Sequence, residues 1–190
     1  MEQHGNLEKR KALTIPCVIF KLSRNVFALP ISQIKEITPS NEITPVPNAP
    51  DEILGIIDLR GKMIPVVDLK KILYRHSVNS YIPTNNSDEP KQAPKSDEEK
   101  TGKHSFKQNS NTLIVDFAKS SEQVIAGLLV DEVMEVFYLS TDNIELSSPI
   151  TMRQSGASVV GIFRHKSAAV MLIDCRKVFT NEIFAELIDN

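Results

Sequence analysis

The sequence has no tryptophan, and aromatic residues make up only 6% of its 190 residues. Binding of single-stranded nucleic acid needs aromatic side chains for base stacking, and binding of duplexes needs a strongly basic surface. The 22 Lys and Arg residues are balanced by 24 Asp and Glu residues, which gives a formal net charge of −2. We therefore expect no nucleic-acid partner.

Long apolar runs and cysteines are also scarce. No run of about 18 apolar residues is present, so we expect no direct membrane insertion, and the polar residues 1–16 lack the apolar segment of a secretory signal. Cys17 and Cys175 cannot form a disulfide framework, and both lie in or beside apolar segments, which predicts buried thiols. These features favour a cytoplasmic protein.

Residue patterns for catalysis, metal binding and phosphate binding are missing as well. His4, His76 and His104 lie in the N-terminal tail or in a polar linker, and His165 lies in an expected turn, where we predict a solvated side chain. The sequence contains no C-x-x-C or H-x-x-x-H pair and no glycine-rich phosphate loop. We therefore predict no enzyme activity, no catalytic residue, no metal site and no cofactor.

One internal segment, residues 76–111, holds only five apolar residues against three prolines, five acidic residues and five lysines. Such a segment cannot bury enough surface to offset the entropy lost on ordering. The predicted organisation is a flexible tail at 1–14, a folded domain at 15–180 with halves of about 15–75 and 112–180, a disordered polar linker at 76–111, and a C-terminal helix at 181–190.

Short apolar stretches separated by turn residues predict four hairpins. These hairpins are Val18–Leu22 with Val26–Ile31, Ile53–Leu59 with Met63–Leu69, Leu113–Phe117 with Val124–Val130, and Val159–Phe163 with Ala168–Ile173. Gly61 supplies the positive φ that the second turn needs. Asp68 and Asp174 end strands and are expected to cap short helices at Leu69–Leu73 and Cys175–Phe179. The pattern predicts an all-β fold with a few short helices.

The two halves also repeat each other. The block from Gly55 to Leu73 matches the block from Gly161 to Phe179 at one constant offset without a gap, and Ile34–Ile37 matches Val133–Val136. A duplication of this kind implies two related β subdomains, and closure into small barrels would remove their exposed strand edges. We therefore predict two packed β-barrels.

Two charged residues in apolar surroundings are candidates for recognition. Arg60 falls at the tip of the second predicted hairpin, and Glu36 lies among isoleucines. If Ile34–Ile37 is a strand, Ile34 and Glu36 share one face, and such a half-apolar, half-charged face is typical of partner-binding surfaces. The two charges can pair with each other or face a partner. Alternatively, Arg60 is a solvated turn residue and Glu36 lies on the polar side of a strand.

The run VPNAPDEILGIIDLRGKMIPVVDLKKIL, Val46–Leu73, resembles the signature of the CheW-like family of bacterial chemotaxis coupling proteins. That signature is V-P-x-x-P, then G-(V/I)-x-N-L-R-G, then P-V-(I/V)-D-L-R. The stretches that also fit the family are Phe27–Ile37, Ala126–Leu139 and Gly161–Phe179. The sequence departs from the signature at Asp58, where the family usually has Asn, and at Lys70, where it often has Arg.

The resemblance implies two packed five-stranded SH3-like β-barrels that share an apolar core, and no catalysis. It also implies an adapter that joins the regulatory domain of a CheA-type histidine kinase to the cytoplasmic tips of methyl-accepting chemoreceptors in a bacterial chemosensory signalling complex. By motif position, the residues bordering the partner surfaces are Ile34, Glu36, Gly55, Arg60, Gly61 and Leu113. Asp58 is expected to alter the hydrogen bonding of the turn or the charge beside Arg60.

Two alternatives stay open at this point. The same fold can serve a chemosensory pathway with another output, such as pilus motility or a second messenger. A small β-barrel can also bind a small molecule or a nucleic acid, although the basic or aromatic stripe that nucleic-acid binding needs is not found.

Overall fold

The computed structural model describes five stretches of the chain, which are residues 12–40, 43–74, 110–119, 122–146 and 158–179. The predicted C-terminal helix and most of the predicted tail and linker lie outside these residues. The first strand begins at Thr14 and another strand begins at Asn111, so the predicted tail and linker each extend one residue into a strand. No helix in the described stretches is long and apolar enough to cross a membrane.

The described residues form two antiparallel-rich sheets and two short helices. In spatial order, the first sheet contains β8 (Glu132–Ser140), β1 (Thr14–Leu22), β2 (Asn25–Pro30), β11 (Ala168–Ile173), β10 (Val159–His165) and β9 (Glu145–Leu146). The second sheet contains β3 (Ile34–Pro39), β6 (Asn111–Lys119), β7 (Glu122–Val130), β5 (Lys62–Asp68) and β4 (Ile53–Leu59). The helices are α1 (Leu69–Tyr74) and α2 (Cys175–Val178).

The predicted β class, the four hairpins and the two capped helices are confirmed. The carboxylate of Asp68 accepts the backbone N–H of Lys70 at 2.9 Å, and that of Asp174 accepts the backbone N–H of Arg176 at 3.0 Å. Both interactions provide partners for N–H groups that a helix start leaves without an intrahelical acceptor. Each sheet has five strands of six residues or more, and the first sheet also includes the two-residue β9.

The internal repeat is visible in the topology. The order β8-β1-β2-β11-β10 in the first sheet corresponds to β3-β6-β7-β5-β4 in the second, and each sheet has one parallel pair, β2 with β11 and β5 with β7. However, the sheets do not coincide with the halves of the sequence. β1 and β2 lie with β8 to β11, whereas β3 to β5 lie with β6 and β7. The first hairpin of each half therefore completes the sheet of the other half.

Three apolar clusters hold this arrangement together. One lies within each sheet, and the largest is shared between the two sheets. Strand β1 shows why, because Cys17 and Ile19 belong to the cluster of the first sheet whereas Phe20 and Leu22 belong to the shared cluster. With both faces buried, such strands read as nearly continuous apolar runs. The expected shared core is confirmed.

Polar contacts tie each short helix to a point where the chain crosses between sheets. At the crossover from β7 to β8, Asp131 accepts hydrogen bonds from the backbone N–H of Ser23 and from Lys70 Nζ, each at 2.6 Å. The Asn25 amide also donates to the Tyr74 hydroxyl at 2.7 Å. Helix α1, which follows β5 of the second sheet, therefore contacts the turn between β1 and β2 of the first sheet.

The equivalent crossover, from β2 to β3, is held by Gln33. Its amide donates to the carboxylate of Asp174 at 3.1 Å and its carbonyl accepts the backbone N–H of Cys175 at 2.9 Å. Burial opposes the ionisation of Asp174, but hydrogen bonds from Arg176 outweigh it and hold the pKa of this carboxyl below its usual value. The cap of α2 is thus both charged and tied to the crossover.

The two cysteines provide a direct check on the core. Both are fully buried, as predicted, and burial raises the pKa of Cys17 to about 11 and also raises that of Cys175. Because the thiolate is the reactive form, we expect a disulfide reagent such as DTNB to label the native protein slowly near neutral pH and both thiols rapidly in denaturant. Rapid labelling of the native chain would contradict this packing.

Candidate protein-docking site

Glu36 and Arg60 lie where the two ends of the second sheet approach each other, and we call this junction the seam. Strand β3, which carries Glu36, is at one end of the strand order, and the turn that carries Arg60 joins the two strands at the other end. Arg60 Nη2 donates to Glu36 Oε2 at 3.1 Å. The two ends of the sheet thus meet through their side chains, as in a barrel. The Arg60 side chain is 81% exposed, and exposed pairs contribute only about 0–1 kcal/mol, so the fold gains little from it.

The turn between β4 and β5 fixes the place of Arg60. Arg60 and Gly61 have φ values of 56° and 81°, and positive φ at both central residues is what a two-residue hairpin turn of type I′ requires. The carboxylate of Asp58 accepts the backbone N–H of Gly61 at 2.6 Å. A carboxylate oxygen accepts this bond as an asparagine carbonyl can, so the departure from the family signature keeps an acceptor for the turn and adds a negative charge.

Strand β3 places Glu36 at an irregularity. Its register against β6 shifts between Ile34 and Glu36, and such bulges re-aim a side chain. Along the strand, Ile34 and Glu36 are half-buried, whereas Lys35 and Ile37 are exposed. The predicted alternation holds, and Ile34 packs against the shared core.

A groove of about 200 Å³ lies beside the pair. Its lining residues are Lys35, Glu36, Leu59, Arg60, Lys62, Ile64 and Ile125. The floor is apolar and the rim is charged. Small-molecule sites usually have about 300–1,000 Å³, so the size favours one side chain of a partner over a separate ligand.

Gly55 and Leu113, two of the predicted site residues, lie in the interior. Gly55 is buried beside Thr44, whose backbone exchanges hydrogen bonds of 2.8 and 2.9 Å with Ile56. Leu113 is fully buried in the shared core, opposite Ile37. Of the six predicted residues, the structure brings Glu36 and Arg60 into contact, with Gly61 and Ile34 within two residues of them along the chain, whereas Gly55 and Leu113 are buried.

The first sheet carries a second acid–base pair at the equivalent seam. Glu135 on β8 corresponds to Glu36, and Lys166 in the turn between β10 and β11 corresponds to Arg60. Lys166 Nζ lies 2.7 and 3.0 Å from the two carboxylate oxygens of Glu135. The sequence repeat aligned Ile34–Ile37 with Val133–Val136 and, at a second offset, Gly55–Leu73 with Gly161–Phe179. The first alignment finds Glu135 and the second finds Lys166.

The two seams differ in their side chains. His165 occupies the position that Leu59 has in the second sheet, and its Nε2 lies 3.1 Å from Glu135 Oε1 while its ring centre lies 4.3 Å from that of Phe137. Hydrogen bonds from Lys166 and then His165 lower the pKa of Glu135. The prediction of a solvated His165 is wrong, since its side chain is only 15% exposed. The imidazole packs in the seam of the first sheet, and a groove lies beside the seam of the second.

A family model described as the CheW-like domain matches residues 16–182. The chain belongs to the CheW-like family. The turn with Arg60 lies in the signature run Val46–Leu73, and Glu36 lies in the stretch Phe27–Ile37 that also fits the family.

Individual CheW proteins agree with this assignment. The chemotaxis protein CheW of Klebsiella aerogenes is 22% identical over 173 residues, which cover 91% of this chain and 86% of that protein. CheW of Rhizobium meliloti is 25% identical over 165 residues, 87% of each. The crystal structure of the scaffolding protein TtCheW from Thermoanaerobacter tengcongensis matches with a TM-score of 0.65 and 28% identity, over 90% of this chain and 96% of that one. The CheW-like fold implied by the sequence is confirmed.

Proposed function

We propose that this chain is a non-enzymatic adapter in the bacterial cytoplasm that couples methyl-accepting chemoreceptors to the regulatory domain of a CheA-type histidine kinase. The observation that carries the proposal is the exposed Glu36–Arg60 pair beside an open groove, within the residues that match the CheW-like family model. The names of the relatives, chemotaxis and scaffolding proteins, support the same role.

The packing supports a rigid bridge. The two sheets share one large apolar cluster, and each contains strands from both halves of the chain, so neither is expected to move independently of the other. A bridge transmits the state of a receptor only if its contacts differ in free energy between the states of its partners. Contacts at one groove are expected to be modest, and assembly then gains from several linked contacts. The same reasoning holds for a chemosensory pathway with an output other than swimming.

The pair in the second sheet and its equivalent in the first provide a matched test. We expect Arg60→Ala to weaken binding of the kinase regulatory domain or of a receptor cytoplasmic fragment about tenfold, because arginines at the centre of interfaces carry much of the binding free energy. We expect Lys166→Ala, in the same kind of turn with the same kind of acid partner, to leave both affinities within about twofold. Calorimetric titration with each partner measures these changes.

Thermal unfolding of both variants is the control, since loss of an exposed ion pair changes stability by about 0–1 kcal/mol. Failure of the unmodified chain to bind either partner would overturn the proposal. Equal losses of affinity in the two variants would show that the groove of the second sheet has no special role.

A further inference from the structure

We propose that the groove beside Glu36 and Arg60 receives one apolar side chain that a partner protein presents next to a carboxylate, and that Lys62 binds this carboxylate. This inference rests on the proposed function, which names the partner as the kinase or the receptor. It follows from the floor of the groove, from the charges on its rim and from a comparison with the equivalent seam of the first sheet.

The floor of the groove fits an apolar side chain. Leu59, Ile64 and Ile125 come from β4, β5 and β7, and all three belong to or pack against the apolar cluster of the second sheet. An apolar group placed here would therefore continue an existing core, and transfer of apolar surface from water is the dominant favourable contribution to association. The volume of about 200 Å³ limits the insertion to a single side chain.

The rim has an excess of positive charge. Of its three cations, Arg60 pairs with Glu36 at 3.1 Å and Lys35 pairs with Asp116 at 3.3 Å. Lys62 forms no ion pair or side-chain hydrogen bond with any residue that the structure describes, and it is exposed at the mouth of the groove. Water solvates this exposed ammonium group in the free protein, and a partner carboxylate placed beside it would complement its charge.

The equivalent seam of the first sheet has no residue that corresponds to Lys62 in charge. Lys62 pairs across the turn with Leu59, and in the first sheet the residues at these two positions are Ala168 and His165. The equivalent seam therefore lacks the cation, and the imidazole of His165 packs in it against Phe137. Both features of the proposed site, the groove and the cation without a partner, are found together at the second sheet.

The test uses three short synthetic peptides of otherwise identical sequence, in which one leucine is flanked by two glutamates, two glutamines or two lysines. Each is titrated into the full chain with isotope-labelled isoleucine methyl groups, and the NMR signals of Ile64 and Ile125 report on the groove. We expect the glutamate peptide to shift these signals and to bind at least about tenfold more tightly than the lysine peptide, because like charges at an interface are unfavourable.

Two charge reversals complete the test. Lys62→Glu should remove or invert the preference for the glutamate peptide. Lys177→Glu, an exposed lysine of α2, gives the same net charge and should leave the preference unchanged. The inference is overturned if the glutamate peptide causes no shift, if the three peptides bind equally, or if the two variants behave alike. Because the peptides replace the kinase and the receptor, peptide binding without kinase or receptor binding would overturn the proposed function alone.

Discussion

Replacement of Gly55 by alanine is expected to lower the free energy of unfolding by about 3 kcal/mol, since the substitution adds both a clash and backbone strain. The added Cβ would lie 2.2 Å from the carbonyl oxygen of Thr44. That oxygen accepts the N–H of Ile56 at 2.9 Å, so it cannot move away without loss of a backbone hydrogen bond. Gly55 also has a φ of 150°, which residues with a side chain rarely adopt.

Urea unfolding measures this loss, and a fall of roughly 10 °C in melting temperature should accompany it. Gly61→Ala is the matched control, because Gly61 also has a positive φ but nothing lies within 4 Å of its added Cβ. We expect the control to lose only about 1–2 kcal/mol for the backbone conformation. Equal losses at Gly55 and Gly61 would mean that the close approach of Thr44 has no energetic weight.

The sequence alone predicted the hairpins and the duplication, because both depend on short-range patterns. It did not predict the exchange of hairpins between subdomains. That exchange depends on four contacts between strands that are far apart in the chain, β1 with β8, β2 with β11, β3 with β6 and β5 with β7. The sequence pattern of an apolar strand such as Val26–Ile31 is compatible with any neighbouring strand of similar composition. Only the complete set of neighbours decides which strand it joins.

Strand β8 was missed for a local reason. Only Asp131 separates it from β7, so no glycine or proline marks the turn. In addition, the register against β1 passes from Ile19–Glu135 to Phe20–Val133, which leaves Met134 as an extra residue. Burial still alternates along β8, but apolar and polar residues do not, because three residues on its exposed side are apolar, Met134, Val136 and Tyr138.

The candidate site was predictable in part. Glu36 and Arg60 stood out because they are charged residues in apolar segments, and the structure places them in contact. Lys62 and Ile125 carried no such signal. Ile125 lies one hairpin away on β7, and it reaches the groove only because the sheet brings β3, β5 and β7 together. Such a groove is a property of the closed sheet and has no linear motif.

An exchange of the two charges separates the alternatives that the sequence left open for Glu36 and Arg60. The double variant Glu36→Arg with Arg60→Glu keeps an ion pair at the seam, so its stability should stay within about 1 kcal/mol of the unmodified chain. The exchange reverses the charge at each position. If the partner contacts both charged groups, we expect the affinity for the kinase regulatory domain or the receptor fragment to fall roughly a hundredfold. Calorimetric titration and thermal unfolding measure the two quantities.

The same exchange at the equivalent seam is the control. Glu135→Lys with Lys166→Glu reverses a pair in which the acid is already bonded to two side chains and the imidazole of His165 packs in the seam. We expect this variant to keep its affinity within about twofold. Unchanged affinity in the Glu36–Arg60 double variant would mean that the pair serves only to join the ends of the second sheet. A large loss of affinity in that variant alone, with stability retained, would mean that the partner binds the charged groups at Glu36 and Arg60, since each exchange keeps an ion pair at its seam.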